Sequence, residues 1–137
     1  MTNELRAVLD TNVVVSAVLL PHSVPRQAFD QVLEHGKVLI SSATAAELND
    51  VLHRPGFDKY LREEERMEFL TALVREAELV DVTTVVTDCR DPKDNKFLEL
   101  AVSGEATHII SGDDDLLVLH PFRSIAILTP HDFMALW

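Results

Sequence analysis

Short apolar runs alternate along this chain with stretches in helical spacing, and that alternation leaves few folds open to it. Leu5–Asp10 reads as a buried strand running into the turn Asp10-Thr11-Asn12. The apolar stretch Val13–Leu20 predicts a helix closed by Pro21, and Ala28, Phe29, Val32 and Leu33 mark a second that ends at Gly36. Lys37–Ile40 is the next strand. Ser41-Ser42 then offers an N-cap to a helix carrying Leu48, Val51 and Leu52, which stops before Pro55-Gly56. Met67, Leu70, Leu73, Val74 and Ala77 mark one face of a long helix, and Leu79–Val82 is a short strand. Asp91-Pro92 opens another helix, with Phe97, Leu98, Ala101 and Val102 on its apolar face and Gly104 at its end. Thr107–Ile110 and Ser124–Leu128 are the last strands. A short helix at Leu116-Leu117 separates them, and a terminal helix starts at Pro130.

Apolar strands alternating with helices imply a parallel sheet covered on both faces, that is, an α/β three-layer domain. In such sheets ligands meet the carboxyl ends of the strands, where the strand order reverses. At 137 residues the chain suits one domain, spanning 1–137, with a core that needs no disulfide or zinc. Its single cysteine, Cys89, excludes an internal disulfide framework and favours a reducing, cytoplasmic setting. No secretory signal pattern or apolar run long enough for a bilayer is present, so no membrane association is expected.

The acids are the chemical signal. Asp10 directly follows the first strand, and Asp113 and Asp115 follow the strand Thr107–Ile110 after Ser111-Gly112. Glu47 lies early in the helix after the second strand, and Asp91 and Asp94 begin the helix that precedes Thr107–Ile110. Acids distant in sequence are therefore placed to converge on one sheet edge. Converging carboxylates repel and need protons or a cation. Oxygen-only ligands suit Mg²⁺ or Mn²⁺, which can activate water against a phosphodiester.

Each acid alone also has a structural reading. Asp10 can make an Asx-turn with Asn12. Thr44-Ala-Ala-Glu47 fits a capping box. Asp91 and Asp94 suit the first turn of a helix. Asp113 can be an N-cap, Asp114 is expected in solvent, and the run Arg62–Arg66 reads as a solvated face. The functional reading rests on their recurrence at one end of successive units.

Other chemistries lack their patterns. His22, His35, His53, His108, His120 and His131 are scattered, without metal-ligand spacing, and Cys89 has no CxxC partner. The sequence contains neither nucleotide-binding glycine motif and no G-x-S-x-G elbow. The net charge of −11 runs against the usual basic footprint of nucleic-acid binding. Arg26, Arg54, Lys93 and Lys96 are the cations that could gather around an acidic groove, each with a solvated-surface alternative.

Four segments together resemble PIN-domain nucleases. They are Val8–Ala17, Ser41–Leu52 with its Glu47, Arg90–Ala101, and Ile109–Leu117 with its Ser-Gly-Asp-Asp-Asp run. They stand in the family's order, and the resemblance runs from about Leu5 to Phe133. It is especially close to prokaryotic members described as toxin components of toxin–antitoxin pairs. It implies a PIN-like, Rossmann-like three-layer fold with a parallel sheet of about five strands in the order 3-2-1-4-5. The implied activity is metal-dependent RNA hydrolysis with Mg²⁺ or Mn²⁺. Asp10, Glu47, Asp94 and Asp113 would be the metal-binding acids, with Asp115 close to the last and Asp91 as the alternative to Asp94. Asn12 and Ser111 would hydrogen-bond the acids or the metal-bound water. Implied partners are an RNA substrate, a cognate antitoxin and a second copy of the chain in a homodimer or higher homo-oligomer.

Two further readings compete. A PIN-like fold that has lost catalysis would serve as a binding module. A phospho-accepting receiver-type signalling domain would also place acids at strand ends. It should, however, carry an acidic pair after strand one and a lysine after strand five, where this chain has Asp10 alone and Thr129-Pro130.

Overall fold

A computed structural model describes residues 4–137. Its centre is a five-stranded parallel sheet in the order β3-β2-β1-β4-β5. The strands are β1 (Leu5–Leu9), β2 (Gly36–Ile40), β3 (Glu78–Leu79), β4 (His108–Ile110) and β5 (Ala126–Leu128). The helices are α1 (Thr11–Leu19), α2 (Val24–His35), α3 (Ser42–Leu52), α4 (Glu63–Glu76), α5 (Asn95–Ser103), α6 (Asp114–Leu117) and α7 (Pro130–Met134). The expected fold class and strand order are those observed. β2 and β3 build outward to one side of β1, and β4 and β5 to the other, so the order reverses between β1 and β4.

The side-chain alternation of the strands divides the core into two layers. Leu5, Ala7 and Leu9 of β1, with Val38, Ile40 and Ile110, pack under Val14, Phe29, Val32, Leu48, Leu73 and Phe133. Val8, Leu39, Ile109 and Ile127 point the other way, onto Phe97, Leu98, Ala101, Leu116 and Phe122. Helix α2 runs into β2 without a loop, and Gly36 makes that junction possible. A Cβ there would lie 2.1 Å from the carbonyl oxygen of Leu5, its partner in the β1–β2 register.

Three expectations are corrected. β3 covers Glu78–Leu79 instead of Leu79–Val82, because β2 ends at Ile40 and Ser41 turns away to cap α3. Beyond one last bond from Val80 N–H to Ile40 O, the backbone turns to α5 for partners. Thr83 N–H donates to Ser103 Oγ, Val86 N–H to Glu99 Oε2 and Cys89 N–H to Asn95 Oδ1. The final strand starts at Ala126, not Ser124, because Arg123 and Ser124 have φ of 48° and 67° and form a tight turn.

The third correction concerns Arg66, which is not on a solvated face. It is 0% exposed, whereas Val74, expected on the apolar face of α4, is 49% exposed. A buried guanidinium needs acceptors for its donors. Arg66 finds Leu52 O at 2.7 Å, Asp58 Oδ1 at 3.0 Å, Arg54 O at 3.4 Å and Leu61 O. It thereby pins the loop after α3 to α4. Among the described residues, no helix is long and apolar enough to cross a membrane.

Candidate active site

Asp10 N–H bonds to Ile110 O at the end of β1, and Ser111 N–H bonds to Leu128 O at the end of β4. These bonds set Asp10 and Ser111 side by side at the carboxyl edge, where the strand order reverses. Asp10 is the N-cap of α1: its Oδ1 accepts from Val13 N–H at 2.8 Å, where the sequence suggested a turn with Asn12. Its Oδ2 accepts from the Ser111 hydroxyl. Ser111 Oγ in turn accepts from Asp113 N–H at 2.9 Å, so one buried serine orients two acids.

A polar cleft of about 200 Å³ opens above this edge. Asp10, Glu47, Asp91, Asp94 and Asp113 line it, with Thr11, Asn12, Arg54 and Lys93. Val51, Phe97 and Leu116 form its apolar walls. The acids expected to converge therefore do so, with one exception. Asp115 is absent from the lining, and its Oδ1 pairs with Arg90 at 2.7 Å. A separate apolar cavity between β2 and α3–α4 measures about 20 Å³, room for little more than a water molecule.

The two candidates in Asp91-Pro92-Lys93-Asp94 differ in their commitments. Asp91 caps a single 3-10 turn over Pro92–Asp94, not the long helix, and accepts from Lys93 N–H at 3.3 Å. Asp94 occupies the N-cap position of α5, but its side chain makes no cap bond. Asp94 is 6% exposed, and its Oδ2 is buried without a hydrogen-bond partner. Burial pushes its pKa up to about 6, and the facing Asp113 carboxylate adds to the rise by favouring a shared proton and by its charge. Burial also raises Asp10, while its bonds from Ser111 and Val13 oppose the shift and the charge of Asp113 adds to it.

Glu47 is not the acid of a capping box. Ser41 and Thr44 form that box themselves: Thr44 N–H donates to Ser41 Oγ and Ser41 N–H to Thr44 Oγ1. Glu47 is thereby left to the cleft. Its Oε2 accepts from Thr11 Oγ1 at 3.0 Å and pairs with Lys96 Nζ at 3.1 Å. The contact from Thr11 was not anticipated, although its place between Asp10 and Asn12 was a signal for it. Of the four candidate cations, Arg26 is occupied elsewhere, with Asp30, Ala17 O and the ring of Phe69. Lys93 leans on Asp91 at 3.7 Å. Arg54 makes no ion pair among the described residues.

As the side chains stand, no three His, Cys, Asp or Glu groups among the described residues surround one point closely enough to hold an ion. Glu47 is turned to Lys96 and Asp115 to Arg90. The donor chemistry nevertheless fits a hard divalent cation. All the converging acidic donors are oxygens, one buried oxygen lacks a partner, and a cation would offset the burial and the Asp113 charge that raise Asp10 and Asp94.

A doubly wound parallel sheet with carboxylates gathered at its switch point defines a class of α/β proteins that act at that edge. Within that class, the PIN-domain family model matches residues 6–115, and the chain belongs to the PIN-domain family, whose members are generally nucleases. An uncharacterized protein of Methanocaldococcus jannaschii is 34% identical over 118 residues, which cover 85% of this chain and 76% of that protein. Among solved structures, VapBC2 from Rickettsia felis, bound to a DNA fragment from its promoter, matches with a TM-score of 0.62 and 15% identity. That match covers 90% of this chain and 97% of the other. DNA-bound VapBC from Salmonella typhimurium gives 0.61 at 18% identity, covering 92% of this chain and 98% of the other. FitAcB from Neisseria gonorrhoeae gives 0.57 at 19% identity, covering 91% and 98%. At these identities the likeness to solved structures is one of fold.

Proposed function

We propose that this protein is a divalent-metal-dependent endoribonuclease and the toxin of a toxin–antitoxin pair. The observation that carries the nuclease reading is the unpartnered, buried Asp94 Oδ2 in a cleft shared with Asp10, Asp113 and Glu47. The toxin role draws on the resemblance of the four motifs and on the likeness in fold to VapBC and FitAcB. An antitoxin partner and a homodimer or higher homo-oligomer belong to the same reading.

Asp10, Glu47, Asp94 and Asp113 would hold Mg²⁺ or Mn²⁺, and Asp115 would join them only by leaving Arg90. Bound there, the ion supplies Lewis acidity toward a phosphodiester. The chain's own groups do the rest. Ser111 and Val13 N–H fix the two oxygens of Asp10, Ser111 also orients Asp113, and Asn12 lies on the same wall. Arg54 and Lys93, also on the wall, meet the negative charge of the RNA backbone. In the reaction a water gives up one proton as its oxygen bonds to phosphorus, the P–O ester bond breaks, and the departing oxygen takes up one proton in exchange.

The test is cleavage of a mixed RNA pool with Mn²⁺ or Mg²⁺, with EDTA, and by Asp10→Asn purified in parallel. Metal-dependent cutting that the variant lacks is the expected result. Full activity in Asp10→Asn would overturn the site assignment. A folded wild type that neither cuts nor binds Mn²⁺ at near-millimolar concentration would favour the catalytically silent binding module.

A further inference from the structure

Lys96 stands where a cation is wanted. It sits in the first turn of α5, with Nζ over the ring of Phe97 at 5.4 Å from the ring centroid. The ammonium pairs with Glu47 Oε2 at 3.1 Å and donates to Lys93 O at 2.5 Å. Its side chain is only 21% exposed, so it is held in place and does not trail in solvent.

Glu47 is thus satisfied from two sides, by the Thr11 hydroxyl and by Lys96, and is turned away from the other acids of the cleft. Lys96 also has somewhere else to go. It lines a second groove of about 290 Å³ together with Ser41, Ser42, Asp81 and Glu99. Glu99 is three residues further along the same helix, at a spacing that lets the two side chains meet. One Glu99 oxygen takes Val86 N–H, and the carboxylate makes no ion pair among the described residues.

We propose that Lys96 is an internal counter-cation of the acidic cleft, occupying Glu47 when no divalent ion is bound and moving toward Glu99 when one is. Lys96 then sets how tightly the protein holds the ion, because each binding event must first release Glu47. Without it, Glu47 would have no positive partner in a metal-free cleft lined by five carboxylates. This inference rests on the cleft taking a divalent cation.

The test compares wild type, Lys96→Met and Lys96→Arg, each checked for native circular dichroism. Methionine keeps an unbranched apolar side chain at this position and removes the charge. Mn²⁺ binding, read by electron paramagnetic resonance or calorimetry at fixed ionic strength, should be about fivefold tighter in Lys96→Met, the scale of a partly exposed ion pair. Lys96→Arg should stay close to wild type. In a lysine-ammonium NMR spectrum of the wild type, the signal missing from both variants should shift when Mg²⁺ is added. Equal Mn²⁺ affinities in wild type and Lys96→Met, or an ammonium signal indifferent to Mg²⁺, would overturn the role of Lys96 alone. No Mn²⁺ binding by any of the three proteins would overturn the cation reading of the cleft and this role with it.

Discussion

The Ser111 hydroxyl donates to Asp10 Oδ2 across 101 residues of sequence, joining the carboxyl ends of two neighbouring strands. Both residues are buried, at 0% and 5% exposure, so the bond is one water cannot readily replace. Ser111→Ala leaves an Asp10 oxygen and the Asp113 N–H without that partner. The expected cost is about 1–3 kcal/mol in urea unfolding of the metal-free protein at pH 7. RNA cleavage should fall as well, because two acids lose their common orienting group. A variant as stable and as active as wild type would show that the serine is incidental.

Asp94 makes stability depend on pH in a definite sense. Its carboxyl is raised from 3.8 to about 6 in the folded chain, which therefore keeps a proton the unfolded chain has released. The resulting stability is fully present below pH 3.8 and is lost as pH rises through about 6. In EDTA, Asp94→Asn should remove this component. The variant should exceed wild type at pH 7 by about 1–2 kcal/mol, allowing for the open side of the cleft. Melting temperatures from pH 4 to 8 measure it. Parallel curves for the two proteins would mean that Asp94 carries no unusual proton.

Arg66 is structural, despite its place in a run of charges. Its guanidinium holds the carbonyls of Leu52, Arg54 and Leu61. Arg66→Ala leaves those acceptors unpaired and opens a void under α4, so a loss of about 2–4 kcal/mol is expected in urea titration. Limited proteolysis should then cut the segment 54–61 ahead of the rest of the chain. A change under about 0.5 kcal/mol would place Arg66 among ordinary surface residues.

Arg54 hangs from that pinned segment, exposed on the cleft wall and without an ion pair among the described residues. If it meets an RNA phosphate, Arg54→Ala should raise KM several-fold and leave kcat within about twofold. The slope of log KM against log salt should shrink by about one phosphate contact. An unchanged salt slope would remove Arg54 from the RNA path.

Much of this molecule was legible in the amino-acid order. The alternation of apolar runs with helical spacing requires a covered parallel sheet. Asp10 and Ser111 could be placed at strand ends because each follows such a run directly. Local sequence could not say which acids meet, since that depends on neighbours in space. Asp94 and Asp91 look alike until the 3-10 turn commits Asp91 to its own backbone and buries Asp94 facing Asp113. Glu47 looked like half of a capping box until Thr44 took that place three residues earlier. Arg66, directly after three glutamates, gave no sign of burial, because its acceptors lie 5 to 14 residues before it, at the end of α3 and in the loop that follows. Periodicity thus determined the layers and the edge at which chemistry can occur. Tertiary packing decided which carboxylate lost its partners and which lysine stands beside Glu47, because desolvation and charge pairing depend on what surrounds a group once the chain has closed.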